Sequence, residues 1–506
     1  MGGGILQIVK EAELSEININ PDITYFPYKK VYKKHTNFSF EFLEETEKSG
    51  TPAWSTTTTF TISKGYHLIS NMYVEIVLPD LIDDVMSGGT NIRWSNAIAY
   101  ALIDKIELIM GGSVIDTHTA LWLDIWNEIT DIENKDWTLV VKYDTIIGTT
   151  PASSTYDNKT KWYLPLQFFF NKNTALALPM HLLVEGQVQI KFKLKSLEKV
   201  VLQTGGTVGS ETATNNKIQS FKLFSKRIYL AKDEFNMITK SLKTNNNIMI
   251  DTINAGTDIT EDKSASSTIE ISFDSPVKEF IWVFRHSSKI LQANPRVPTT
   301  YAETRGNDWF SYHASSENSD LGIGSRDPFH KLTIKNGDNP LIEDKEADHF
   351  RTIEPYYHHA KVNTKYIYSY SFALKPHEYQ PSGICNFTLN DKKCKFTFTS
   401  PTASHNVSIF ALKYKNIRIN ITTKDGAPDT ATISLSELGN YKVDDNRTIV
   451  SQEESFVNYS RPPAVKKPNL VKKKLLKPKK KLNNRNNKGW AGLAGGDTNS
   501  NIQGFL

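Results

Sequence analysis

Apolar residues alternate with polar ones in many short stretches of this chain, the period of a strand with one face buried. The clearest case is Val188 to Leu194, where Val188, Ile190, Phe192 and Leu194 share one face and Gln189, Lys191 and Lys193 the other. It closes a longer segment, Trp162 to Lys195. There an apolar run from Leu164 to Phe170 is followed by a turn at Asn171–Asn173 and a short apolar piece, Leu176 to Leu178, stopped by Pro179. An apolar run, a proline stop and an alternating strand predict two facing layers of sheet. This segment reads as scaffold and not as a reaction centre.

The same grammar recurs along the chain. Phe38, Phe40 and Phe42 alternate, as do Phe60 and Ile62, and Met72 to Leu78 makes a strand ended by Pro79. Ile106 to His118 reads as a hairpin around Gly111–Gly112, residues that accept positive φ. Ala120 to Thr130 is the best helix of the body, with Leu121, Ile125, Trp126 and Ile129 on one face. A second helix-like piece, Asp233 to Ser241, marks a domain junction. Beyond it the order repeats. Ile269, Ile271 and Phe273 alternate, and Phe280 to Phe284 is apolar throughout. Lys331 to Asp344 is a hairpin about an Asn-Gly-Asp turn, Tyr366 to Thr388 matches 163–194, and Ser408 to Asn420 is a closing strand. About eight strands per half, with Gly and Pro turns and little helix, predict an all-β fold of two tandem antiparallel sandwiches. The expected division is an N-terminal arm at 1–20, a first domain at 21–230, a second at 231–455 with a long surface loop around 292–326, and a tail at 456–506.

Composition supports sheets and excludes some classes. The 506 residues include 25 Phe and 21 Tyr, which pack well on pleated surfaces. Only Cys385 and Cys394 occur, so a reducing compartment and a reduced thiol pair are expected. No apolar run is long enough for a transmembrane helix. Charge divides the chain: residues 461–506 carry 12 Lys and Arg against Asp497, a net +11, which leaves −6 on residues 1–460. Near the start, Tyr25, Phe26, Tyr28 and Tyr32 interleave with Lys29, Lys30, Lys33 and Lys34. A single-strand nucleic-acid platform would use such a pattern, but nothing funnels the charge into a groove, and a first strand with solvated lysines is the preferred reading.

Several separate blocks carry a resemblance. PDITYFPYKKVYKKHTNF at 21–38 resembles an N-terminal Tyr-Arg-Arg-Tyr-Thr-Asn-Phe block, with Lys33 and Lys34 for the arginines and His35 for the Tyr. IELIMGGSVIDTH at 106–118, LPLQFFFNKNTALALP at 164–179, YSYSFALKPHEYQPSGICNFT at 368–388 and ALKYKNIRI at 411–419 follow in the matching order. Ile384 stands where Thr is usual. Together these resemble the major capsid proteins of the nucleocytoplasmic large DNA viruses, the double jelly-roll family. The resemblance covers roughly 3–420 and leaves the basic tail outside. It implies two eight-stranded jelly rolls with short connecting helices, and homotrimers in which six rolls form a pseudo-hexagonal capsomer. It further implies capsomers tiling an icosahedral shell around an inner membrane, assembled in the host cytoplasm, with penton and minor capsid proteins as partners. Loops at 132–160 and 292–326 are then candidates for surface or intersubunit contacts, with glycans on outer loops.

Chemistry is sparse. No nucleophile elbow, phosphate loop or paired carboxylates occur in a recognisable context, so no catalytic residue and no cofactor are expected. His358–His359 would point to opposite faces of a strand, so no metal site is expected either. A carbohydrate-binding or glycan-hydrolysing jelly roll is the alternative. Sequons stand at Asn37, Asn158, Asn386, Asn406, Asn420, Asn446 and Asn458. The tail reads as extended and solvated, broken by prolines. Its candidate contact residues are Lys466, Lys467, Lys472, Lys473, Lys474, Lys477, Lys479, Lys480, Lys481 and Trp490. They face an anionic membrane, packaged nucleic acid or a neighbouring capsomer.

Overall fold

Sixteen strands in two sets of eight carry the fold of this computed structural model. It describes most of 37–79, 86–130, 161–286 and 327–436, with Tyr25–Phe26, Lys29–Lys30, Asn307 and 309–312. The first set is β1 (Phe38–Glu45), β2 (Thr57–Thr61), β3 (Leu68–Val77), β4 (Ile103–Met110), β5 (Ser113–Thr119), β6 (Lys161–Pro165), β7 (Val188–Leu194) and β8 (Ser220–Leu230). Helix α1 (Ala120–Thr130) follows β5 and the short α2 (Phe169–Lys172) follows β6. The chain then passes through α3 (Lys232–Thr244) into β9 (Asn247–Ala255), β10 (Ser266–Ile271), β11 (Val277–His286), β12 (Lys331–Asn336) and β13 (Asn339–Glu346). The turn of helix α4 (Glu354–His358) precedes β14 (Ile367–Ser371), β15 (Cys394–Thr399) and β16 (His405–Thr422). One further strand, β17 (Thr430–Ser436), pairs along β16.

Strand order identifies the architecture. The first set forms sheets ordered β6-β3-β8-β1 and β5-β4-β7-β2, and the second β14-β11-β16-β9 and β13-β12-β15-β10. Numbered from one within each set, both read 6-3-8-1 and 5-4-7-2. The pairings are antiparallel, which makes each set an eight-stranded jelly roll. The alternation in β7 does what the sequence asks: Val188, Ile190, Phe192 and Leu194 are buried and pair between β2 and β4. Its partner from the same segment, β6, lies in the opposite sheet.

Local departures have simple causes. The apolar run 164–170 leaves the sheet after Pro165 and turns into α2, because Asn171 Oδ1 accepts the Phe168 amide and the Asn171 side chain donates to Ser70 O. The expected strand after Gly383 reduces to a single bridge, Cys385 to Val277. Among the described residues Tyr25–Phe26 pairs with Lys29–Lys30 and with neither sheet of the roll, and β1 is the first strand that enters one. Both cysteines are free, and burial pushes the Cys385 thiol up to about 12 and that of Cys394 higher still. No helix among the described residues is long and apolar enough to cross a membrane.

The two rolls are joined through an apolar face. β11 is buried along its length because it is central and covered on both sides. Phe280, Trp282 and Phe284 point into the core of the second roll, while Ile281 and Val283 join the core of the first. Ile253, Phe410 and Leu412 do the same. Each such side chain contributes about 2 kcal/mol when taken from water, so this face belongs against a partner.

Candidate functional site: assembly surfaces

The seam between the rolls is built from β5, α1, Asn307 and residues 309–312 on one side or the other. Asp116 on β5 is fully buried and accepts hydrogen bonds from the Ile253 amide of β9 at 3.1 Å and from its own neighbour Thr117. Its other oxygen lies 3.0 Å from His118 Nε2. Burial by itself would raise this carboxyl; His118, the Ile253 amide and the charge of Lys172 overcome that and hold it below the ordinary range.

Helix α1 buries Leu121, Ile125 and Ile129 in the core of the first roll. It also grips the second roll through groups that its apolar face gives no hint of. Asp124 accepts from Lys365 Nζ at 2.9 Å and from the Tyr312 hydroxyl, and Lys365 pairs with Glu128 at 2.9 Å. Burial opposes the charge on Lys365, but Asp124 and Glu128 prevail and its pKa is raised. Trp122 packs on Phe410 with centroids 5.4 Å apart.

The centre of the 292–326 insert departs from the surface loop expected there. Asn307, Phe310 and Tyr312 are buried. The Asn307 amide donates to Glu198 O and Val201 O, and Trp309 Nε1 donates to Lys199 O, all in the first roll. Backbone carbonyls left open at the 197–201 turn recruit these donors, a need that composition does not reveal. The rest of the insert lies outside the described residues, as do the 132–160 loop, the arm at 1–20 and the tail with Lys466, Lys467, Lys472, Lys473, Lys474, Lys477, Lys479, Lys480, Lys481 and Trp490.

A second surface has no such cover among the described residues. Phe38, Phe40 and Phe42 of the edge strand β1 are 51%, 53% and 46% exposed. Their alternation suggested a buried face, but the three rings stand exposed on the edge of the sheet. Phe42 meets Tyr73 at 5.9 Å, Tyr73 stacks on Phe224 at 5.1 Å, and Tyr163 stands 6.0 Å from Tyr73. An aromatic band thus crosses the outer face of the β6-β3-β8-β1 sheet, edged by the ion pairs Lys222–Glu44 and Lys161–Glu75. Exposed aromatic bands of this extent mark contact surfaces.

Histidine chemistry also differs from the sequence reading. His358 ends α4 and His359 follows it, so neither is on a strand. His359 meets Glu279 of β11 and His377 of the following loop. Burial alone would raise the Glu279 carboxyl; the two histidines hold it far below the carboxylate range. Distance in sequence hid this cluster. Of the sequons, Asn158, Asn446 and Asn458 lie outside the described residues, and Asn406 is buried in β16, out of reach of glycan transfer.

Comparisons with known proteins agree with this architecture. Residues 24–231 match the family described as major capsid protein N-terminus, and 226–424 match large eukaryotic DNA virus major capsid protein. The major capsid protein of Pyramimonas orientalis virus is 29% identical over 445 residues, covering 83% of this chain and 97% of that protein. That of Paramecium bursaria Chlorella virus 1 is 26% identical over 425 residues, covering 80% and 90%. The crystal structure of PBCV-1 VP54, fitted into a reconstruction of the virophage Sputnik, superposes with a TM-score of 0.60 at 20% identity over 81% of this chain and 99% of that one. The Faustovirus major capsid protein also gives 0.60, at 14% identity over 78% and 92%. These relatives are structural capsid proteins, not enzymes. Two jelly rolls of one strand order, matched end to end by these sequences, place the chain in the major capsid protein family of the large eukaryotic DNA viruses, as a component of the viral capsid.

Proposed function

We propose that three copies of this chain close into a pseudo-hexagonal capsomer of six rolls, and that capsomers tile an icosahedral shell assembled in the host cytoplasm. One observation carries the reading. In the second roll, the outer face of the β14-β11-β16-β9 sheet is apolar and covered by the first roll. The equivalent sheet of the first roll bears the Phe38, Phe40, Phe42 and Tyr163 surface, and the described residues leave it open. A contact that one roll makes within the chain is then available for the other to make with a neighbouring copy. A head-to-tail contact whose rotation closes makes a ring, and in the proposed ring three two-roll chains supply six rolls. The domain division at 21–230 and 231–455 belongs to the same proposal.

Other partners follow from position and charge. Penton and minor capsid proteins would meet the capsomer rim. The outer loop at 132–160 and the stretches of 292–326 on either side of the buried centre would carry outward contacts and glycans. The basic tail would face inward to the viral membrane or run onto an adjacent capsomer. Light scattering on the tag-free protein of 57.2 kDa tests the central claim. A species of threefold mass is expected at micromolar concentration, since obligate interfaces bury on the order of 2,000 Å² or more. A stable monomer overturns it. Phe40→Asp with Phe42→Asp should give folded monomers, as both residues are exposed in the single chain.

A further inference from the structure

Glu279, His359 and His377 come from three separate segments of the second roll and meet under Trp126 of the first. The register of β11 against β16 slips between Val277 and Glu279, and a bulge of this kind re-aims a side chain. Alternation along β11 sets Glu279 on the same face as Ile281 and Val283, while Val277, on the far side of the slip, joins the core of the second roll, and the Glu279 side chain has no exposure. His359 is placed by the end of α4, where its amide donates to Pro355 O at 2.9 Å. Its ring is wholly buried and stacks on His377 with centroids 4.5 Å apart. His377 is 16% exposed and stands edge-on to Trp126 at 5.2 Å.

We propose that these three side chains form a binding site for a first-row divalent cation of the zinc type, with a fourth position open on the His377 side. One donor atom from each lies within 4.8 Å of the others. Ligands about 2.0–2.2 Å from a tetrahedral zinc stand roughly 3.3–3.5 Å apart, so small rotations of the two imidazoles complete the set. Two nitrogens and one carboxylate oxygen suit zinc, cobalt or nickel and not calcium or magnesium. The polar atoms are poorly served by one another. Glu279 Oε1 bonds His359 Nε2, yet Glu279 Oε2 and His377 Nε2 lie 3.2 Å apart out of line for a hydrogen bond, and among the described residues neither atom has a hydrogen-bond partner. His359 Nδ1 is equally unpartnered. Buried donors and acceptors are seldom left in that state. A cation between Glu279 Oε2 and His377 Nε2 satisfies both and balances the buried carboxylate.

Tag-free full-length protein, stripped with a chelating resin and titrated with zinc chloride, tests the site. One zinc per chain by elemental analysis is expected, with a rise in thermal midpoint that magnesium or calcium chloride does not reproduce. Cobalt(II) adds a readout free of stability effects: visible d–d absorption of low-symmetry four-coordinate intensity in the wild type. His377→Ala and Glu279→Gln should lose the stoichiometric metal, and His358→Ala, beside the site but outside it, should keep it. Substoichiometric zinc with no cobalt spectrum overturns the proposal, as does equal binding by His377→Ala.

Discussion

The side chain of Asp116 accepts the backbone amide of Ile253 at 3.1 Å, and this bond ties the first roll to the second through one buried carboxylate. Because the folded protein holds Asp116 below the ordinary carboxyl range, its ionised form favours the folded state. The contribution is fully present above the unfolded value of about 3.9 and is lost as pH falls through the lower folded value. Unfolding free energies from urea melts of wild type and Asp116→Asn should therefore differ at neutral pH, by about 1–3 kcal/mol. The gap should narrow steadily below about pH 4. A gap constant down to pH 3 would contradict the assignment.

A second tie depends on the absence of a side chain. Gly111, at φ +58° in the β4–β5 turn, brings its backbone so close to β17 that a Cβ would meet Ile433 O at 2.4 Å. Its neighbour Gly112 also has positive φ, at +81°, but open space around it. Gly112→Ala pays only the left-handed strain of about 1 kcal/mol. Gly111→Ala must also displace backbone, and a loss of about 3 kcal/mol is expected from thermal unfolding. Equal losses at the two positions would mean that the β17 contact is not maintained in solution.

These two ties show what was legible in the sequence. The Gly111–Gly112 pair announced its hairpin, because turn chemistry is local, and the period-two strands announced the sandwiches. The second use of Gly111, against Ile433, is a contact between residues far apart in the chain and leaves no local mark. Phe280 to Phe284 read as an apolar strand, yet only the fold shows that alternate side chains serve different cores. The Phe38, Phe40 and Phe42 alternation was misleading for the opposite reason: an outer face destined for contact has the same period as an inner one. Glu279, His359 and His377 were invisible as a set, since they stand on segments far apart in the chain and only the fold brings them together.

Asp124 and Lys365 offer a test of the electrostatic part of the seam. Asp124 is wholly buried, so Lys365→Met leaves its charge short of a partner. A loss of about 3 kcal/mol is expected, as for other buried pairs broken on one side. The double variant Asp124→Asn with Lys365→Met should recover part of it, because the stranded charge is gone. Additive losses in that cycle would show that the pair does not couple.

The tail prediction rests on charge alone and is separable from the fold. Residues 461–506 carry +11 and the remainder −6, so removing 461–506 should leave the body folded with an unchanged thermal midpoint. Full-length protein should bind vesicles containing phosphatidylserine, at about 1 kcal/mol per Lys or Arg near the surface, and the truncated protein should not. Duplex DNA provides the competing arm. If the tail engages nucleic acid, log affinity should fall linearly with log salt, with a slope of about −0.9 for each phosphate neutralised. Replacing Lys472, Lys473 and Lys474 by Gln should then reduce that slope by about 3. Binding that survives truncation on either surface would move the contact to the body, whose net charge argues against it.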